Sequence, residues 1–154
     1  MKPDYTRICQ RLRVLTEKIP YETANLANAS ALLWQNLEDI NWAGFYQYRD
    51  GMLVLGPFQG KPACVKIPMG KGVCGTAAQR DAVQLVDNVH EFPGHIACDG
   101  ASNSEIVIPL HIKGQLWGVL DIDSPLYSRF SPEDAAGLAQ FAQTMEEILE
   151  KCSR

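Results

Sequence analysis

The sequence predicts an α+β domain: a central, mostly antiparallel sheet flanked by N- and C-terminal helices. Three observations carry this. Apolar residues recur at helical spacing near both ends of the chain. Between the ends the period falls to two, in runs joined at Asp50-Gly51 and Lys113-Gly114, which are hairpin signals. The 154 residues suit one domain spanning 1–154, with no repeat, linker or low-complexity tract. Helices at both ends of several hairpins make an α+β pattern.

Taken in order, Ile8, Leu12, Leu15 and Ile19 share a helical stripe that Pro20 ends. A second helical pattern, Leu26, Leu33 and Leu37, starts near Thr23. "WAGFYQY", residues 42–48, then alternates and leads through Asp50-Gly51 into the apolar run "MLVLGPF". "GKPACVKIPMGKGVCGTAAQR", residues 60–80, is punctuated by glycine and proline, with a short helix from Val73. "AVQLVD" reads as a strand, and the polar stretch behind it as a long loop. "EIVIPLHI" and "QLWGVLDID" form the second hairpin. The last helix is the clearest. Ser131 caps it, Pro132 takes the first helical position, and Glu133 and Asp134 sit at the positive end of the dipole. Leu138, Phe141, Met145, Ile148 and Leu149 then mark one buried stripe.

Composition excludes several classes. Lys and Arg number 14 against 18 Asp and Glu, a net charge of −4 with no basic run, so no nucleic-acid face is expected. No stretch approaches the ~20 apolar residues of a membrane span. The start, "MKPDYTRICQRL", is polar and unlike a signal peptide, which predicts a cytoplasmic protein. The five cysteines are odd in number, widely spaced and free of any C-x-x-C, which disfavours a structural disulfide framework. A zinc site from Cys64, Cys74, Cys98 and His90 or His95 lacks ligand spacing, so no metal is expected. Cys9 and Cys152 lie on the terminal helices as packing or surface residues.

Strand parity makes a chemical prediction. In "SEIVIPLHI" Ile106, Ile108, Leu110 and Ile112 form one face, and Glu105, Val107, Pro109 and His111 the other. In "LWGVLDID" Leu116, Gly118, Leu120 and Ile122 oppose Trp117, Val119, Asp121 and Asp123. A two-residue turn at Lys113-Gly114 would set Asp121 against Ile106, among buried isoleucines. A three-residue loop with a left-handed Gly114 and a bulge pairs Ile112 with Leu116 and Ile106 with Ile122. Burial selects the second, because a one-residue slip swaps every face. Glu105 then lies opposite Asp123 and Val107 opposite Asp121, with the two aspartates about 7 Å apart. A solvated sheet face is the bland alternative. Val107, Pro109, Trp117 and Val119 argue against it, and clustered acids cost energy unless a cation or proton is shared. Trp42, Gly44, Tyr46 and Tyr48 share a face of their own strand and suit the wall of a small pocket.

The acids gather beside an unusual cysteine. Cys98 stands among Pro93, Gly94, Asp99, Gly100, Ser102 and Asn103, seven residues before Glu105. An unpaired cysteine is usually a small buried hydrophobe. On a polar loop it is open to oxidation.

"NWAGFYQY", "GPFQGKPACVKIPMGKGVCGTAA", "FPGHIACDGASNSEIVIPL" and "GVLDIDSP" together resemble the free methionine-(R)-sulfoxide reductases, stand-alone GAF-domain enzymes. The resemblance runs from about residue 20 to the C terminus. It implies a GAF fold with its ligand pocket under the loops, and reduction of free methionine-(R)-sulfoxide in oxidative stress repair. Electrons would come from thioredoxin, with no cofactor. It also implies that Cys98 attacks, that Cys64 resolves by a Cys64–Cys98 disulfide, and that Cys74 is an auxiliary third cysteine. Glu105, Asp121 and Asp123 match the family's acidic substrate site, and Trp42 and Tyr46 its aromatic wall. Such chemistry explains an exposed Cys98, since a thiolate that takes the sulfoxide oxygen becomes a sulfenic acid and must then meet a second thiol. Lys66, Lys71 and His95 are candidates for the cation that activates it. His90 is expected to make a loop hydrogen bond and His111 to lie on the strand surface. Terminal amphipathic helices make a homodimer plausible in this fold.

The competing readings are a non-catalytic GAF sensor of a small ligand and a thiol-based redox sensor. A sensor usually sits beside an output domain, for which this chain leaves no room. Three cysteines in two loops gain nothing in a passive binder.

Overall fold

Local chemistry starts the first helix. The Asp4 carboxylate accepts a hydrogen bond from the Arg7 N–H at 3.0 Å, and helix α1 follows over Tyr5–Thr16. The structure is a computed structural model that describes residues 2–95 and 100–153. The buried stripe of α1 is Ile8, Cys9, Leu12 and Thr16. Leu15 and Ile19, expected in that stripe, are 45% and 40% exposed. The chain leaves the helix at Glu17, with ψ of 125°, and turns at Lys18, with φ of 59°, so the helical period never reaches Ile19. Helix α2, Glu22–Asn36, buries Leu26, Ala29 and Leu33. The last helix, α4, spans Pro132–Glu150 and opens with a capping box. Ser131 Oγ accepts from the Asp134 N–H at 3.1 Å, and Asp134 accepts from the Ser131 N–H at 2.9 Å. Tyr5 donates its hydroxyl to the same carboxylate at 2.6 Å, which ties α1 to the start of α4.

Six strands lie between: β1 Trp42–Arg49, β2 Met52–Gly60, β3 Lys66–Pro68, β4 Gln84–Val86, β5 Ser104–Ile112 and β6 Gln115–Ser124. Their order is β3-β2-β1-β6-β5-β4 and each neighbouring pair is antiparallel. Strand β3 falls in the glycine- and proline-punctuated stretch, for which the sequence predicts only a short helix from Val73. Three residues are too few to show alternation, and only pairing with Met52–Val54 makes them a strand. Helix α3, Gly72–Arg80, follows it.

The β5–β6 hairpin sets the site, and its turn differs from the expected one. Lys113 and Gly114 have φ of 51° and 78°, so both central residues are left-handed and the loop is a two-residue one of type I′. Ile112 therefore pairs with Gln115, not Leu116. The register shifts between Leu110 and His111, where Trp117 is the extra residue of a bulge. Beyond the bulge Ile106 pairs with Ile122, Glu105 with Asp123 and Val107 with Asp121. The predicted acid register holds, one bulge further in than expected.

The bulge also reverses the parity of the residues before it. Trp117, expected beside Val119 and the acids, packs instead in the core under α1, α2 and α4. Its ring meets Phe45 edge-on at 6.3 Å, and its Nε1 donates to Glu22 at 2.8 Å. That core also takes Ile106, Ile108, Leu110, Leu120 and Ile122. The opposite sheet face carries Trp42, Tyr46, Val107 and Val119 under α3, with Val73, Cys74, Ala77 and Ala78.

Candidate active site

Directly paired residues of antiparallel strands share a face. Across β1, β6 and β5 the α3 face therefore reads in rows: Trp42, Asp123, Glu105; then Gly44, Asp121, Val107; then Tyr46, Val119, Pro109. Trp42, Tyr46, Cys74, Glu105, Asp121 and Asp123 line one open pocket with an enclosed volume of about 50 Å³, and Lys61, Lys71, His95 and Ser102 line it too. The sequence-predicted acids and aromatics thus meet in one place.

The wall is stacked. Trp42 lies 5.8 Å from the Tyr46 ring and 5.1 Å from that of Phe58, at interplanar angles of 23° and 15°. Gly44 makes this possible, since a Cβ there would lie 2.3 Å from the Phe58 Cβ. Two polar edges of the wall hold the chain around Cys64. Trp42 Nε1 donates to the Lys61 carbonyl at 3.2 Å, and the Tyr46 hydroxyl to the Cys64 carbonyl at 3.1 Å.

The floor is acidic and buried. Glu105 and Asp121 are 7% and 5% exposed. Burial, and then the charges of Asp121 and Asp123, push the Glu105 carboxyl well above its ordinary range. Cys74 Sγ donates to Glu105 Oε2 at 3.9 Å. Burial first, then Asp121 and Glu105, push this thiol up, so it stays protonated at neutral pH. Burial and the same acids push the Tyr46 phenol up as well.

Cys64 is half-buried beside the aromatic wall and disulfide-bonded, while Cys9, Cys74 and Cys152 carry free thiols. Cys98, the expected nucleophile, lies outside the described residues. Of the three candidate cations, Lys71 and His95 reach the pocket, whereas Lys66 is exposed on β3. Burial and then His90 push His95 down, which leaves it neutral at pH 7. His90 makes its loop hydrogen bond, to Asn103 at 2.8 Å. His111 is not a bare surface residue. Its ring meets Asp81 at 2.5 Å, and its backbone N–H donates to Glu146 at 2.5 Å. Sequence reasoning missed Lys61, Ser102 and Phe58, which reach the site from loops or a neighbouring strand with no local pattern of their own. Among the described residues no helix is long and apolar enough to cross a membrane.

A sheet with α3 capping a pocket on one face and terminal helices covering the other defines a small-ligand domain. Its kinship is specific. The GAF domain pattern matches residues 10–149. The free methionine-R-sulfoxide reductase of Escherichia coli is 62% identical over 126 residues, covering 82% of this chain and 76% of that one. The reduced form of Staphylococcus aureus fRMsr superposes with a TM-score of 0.93 at 47% identity, covering 96% of each chain. The Neisseria meningitidis free methionine-R-sulfoxide reductase, solved with its substrate, gives 0.91 at 38% identity, covering 96% of this chain and 89% of that one. The chain belongs to the GAF-domain family, in the branch of the free methionine-R-sulfoxide reductases.

Proposed function

We propose that this chain reduces free methionine-(R)-sulfoxide to methionine, with Cys98 as nucleophile, Cys64 as resolving thiol and thioredoxin as reductant. The observation that carries the reading is the row of Glu105, Asp121 and Asp123 facing Trp42 and Tyr46 in one pocket. An α-ammonium group suits such acids, and a methyl sulfoxide side chain suits the aromatic wall. The free thiol of Cys74 is a poor nucleophile because burial and its acidic neighbours keep its proton on. The family resemblance assigns the attack to Cys98.

In this mechanism the Cys98 thiolate attacks the sulfoxide sulfur while Glu105, the acid that retains its proton, protonates the oxygen. The oxygen then passes to the Cys98 sulfur as the substrate S–O bond and the transient sulfur–sulfur bond break, so methionine leaves and Cys98 is a sulfenic acid. The Cys64 thiol displaces that oxygen as water and closes a Cys64–Cys98 disulfide. The disulfide-bonded state of Cys64 supports this assignment. A thioredoxin dithiol then reopens the bond by exchange, taking the oxidation with it. The electrons come from thiols throughout, so the cycle needs no prosthetic group. Such a cycle belongs in the cytoplasm, where thioredoxin is kept reduced.

Thioredoxin-coupled NADPH consumption with free methionine-(R)-sulfoxide tests the reading. Cys98→Ser should release no methionine even in a single turnover. Cys64→Ser should release about one methionine per subunit and then stop, because sulfenic acid formation needs only the first thiol. Binding without turnover in the wild-type chain would instead make it a sensor.

A further inference from the structure

Cys74 has no redox task in the mechanism above, yet it is enclosed beside two acids. Its Sγ, a Glu105 oxygen and an Asp121 oxygen all lie within 4.8 Å of one another. The three residues come from α3, β5 and β6, so the packing of helix on sheet creates the grouping. A second observation points to an absent partner. Asp121 is 5% exposed and lines the pocket beside Cys74, and its Oδ1 has no hydrogen-bond partner among the described residues. A buried carboxylate oxygen is normally paired.

The donor set selects a chemistry. Thiolate sulfur favours zinc-class or softer ions, and two carboxylate oxygens disfavour the softest of these, such as Cu(I). A tetrahedral zinc centre with bonds of ~2.3 Å to sulfur and ~2.0 Å to oxygen holds those ligand atoms roughly 3.5 Å apart. Cys74 Sγ and Glu105 Oε2 are 3.9 Å apart, so a few tenths of an ångström brings that pair to the spacing, and the Asp121 oxygen, within 4.8 Å of both, joins it by a movement of at most about 1.3 Å. We propose that Cys74, Glu105 and Asp121 form a binding site for a zinc-class divalent cation, which excludes substrate from the pocket when bound. Coordination replaces the thiol S–H bond by an S–metal bond, releases that proton and the one held on Glu105 to solvent, and changes no oxidation state. The three ligands leave a fourth position for water. Exclusion of substrate rests on the functional reading above, because it needs the same acids to receive methionine-(R)-sulfoxide. Binding of the cation does not.

The test uses the full chain in its disulfide form, which keeps Cys64 out of the competition. Titration with cobalt(II) should give one equivalent bound with a thiolate-to-cobalt charge-transfer absorption, displaced by zinc. Cys74→Ser should abolish that absorption. Asp121→Asn, which keeps both the thiol and the side-chain shape, should weaken binding at least tenfold and serves should Cys74→Ser misfold. Saturating methionine-(R)-sulfoxide should weaken cobalt binding at least tenfold. Absence of the absorption, or its survival in Cys74→Ser, overturns the cation site and leaves the reductase reading standing. Cobalt binding that methionine-(R)-sulfoxide does not weaken overturns the exclusion, and counts against these acids as the substrate site.

Discussion

The two faces of strands β1, β5 and β6 carry alternate residues of the same segments and obey opposite rules. Under α1, α2 and α4 the face is apolar, with Phe45, Ile106, Leu120 and Ile122 wholly buried. Its buried strand-borne polar groups are matched: the Trp117 indole donates to Glu22, and the Ser104 and Ser124 hydroxyls to the Leu126 and Asp39 carbonyls. Under α3 the face buries Glu105 and Asp121 next to a thiol, and leaves an Asp121 oxygen unmatched among the described residues. The first face minimises buried polarity and the second accumulates it. Burial of that kind costs stability. The difference therefore separates residues that hold the fold from residues that the site needs in spite of the fold, and substitutions on the two faces should move stability in opposite directions.

The largest effect belongs to the helix face. Phe45 is fully buried with its ring edge-on to Trp117. Phe45→Ala should cost about 3–5 kcal/mol. At roughly 2–4 °C per kcal/mol for a chain of this size, calorimetry should show Tm falling by about 6–20 °C. A loss under about 1 kcal/mol would mean that the two faces do not divide the work in this way.

The next effect belongs to the acids and reads as selectivity. A methionine residue within a peptide has no α-ammonium to set against the charges of Asp121 and Asp123 beside Glu105. Removing one partner of a buried ion pair costs several kcal/mol, and each 1.4 kcal/mol is tenfold. N-acetyl-methionine-(R)-sulfoxide should therefore be reduced at least ~100-fold less efficiently than the free amino acid. Asp121→Asn should weaken the free substrate and narrow that gap. Equal kcat/KM on the two substrates would return the acid row to a structural role.

A smaller effect follows from Glu105 itself. Its folded pKa lies well above the ordinary 4.5 because of burial and then Asp121 and Asp123. A raised carboxyl pKa means that the folded chain holds a proton that the unfolded chain gives up. This group's contribution to stability is therefore fully present below about pH 4.5 and lost as pH rises toward the folded pKa. The slope is up to about 1.4 kcal/mol per pH unit. Glu105→Gln keeps the neutral shape and removes the titration. Its Tm should match the wild type near pH 4.5 and exceed it increasingly at higher pH, while reductase activity falls. A constant difference across pH would show that Glu105 titrates alike in both states.

Much of this division could be read from the residues alone. Strand parity placed Glu105, Asp121 and Asp123 on one face, because the isoleucines opposite leave a single acceptable register beyond the bulge. Ser131-Pro132-Glu133-Asp134 announced α4, since a cap acts through its own backbone. Features made by distant chain were not legible. Strand β3 exists only through its pairing with β2, and Ser102 and Lys61 reach the pocket on loops. Trp117 went to the wrong face because the position of a bulge depends on the turn, and Lys113-Gly114 is compatible with two turns.

That turn permits the finest test. In the type I′ geometry Lys113 sits at a φ of 51°, a conformation that costs an ordinary L-residue roughly 1–2 kcal/mol and asparagine less. In the three-residue alternative, a type I turn closed by a left-handed glycine, residue 113 would be right-handed and asparagine would bring no gain. Lys113→Asn should therefore stabilise the chain by about 0.5 kcal/mol, a fraction of that strain. The corresponding rise in Tm is about 1–2 °C. The side chain is exposed and does not line the pocket, so turnover should not change. A neutral or negative shift would favour the three-residue loop. Leu116 would then pair with Ile112, the bulge at Trp117 would have no cause, and the indole would lose the geometry that brings it to Glu22 on the helix face.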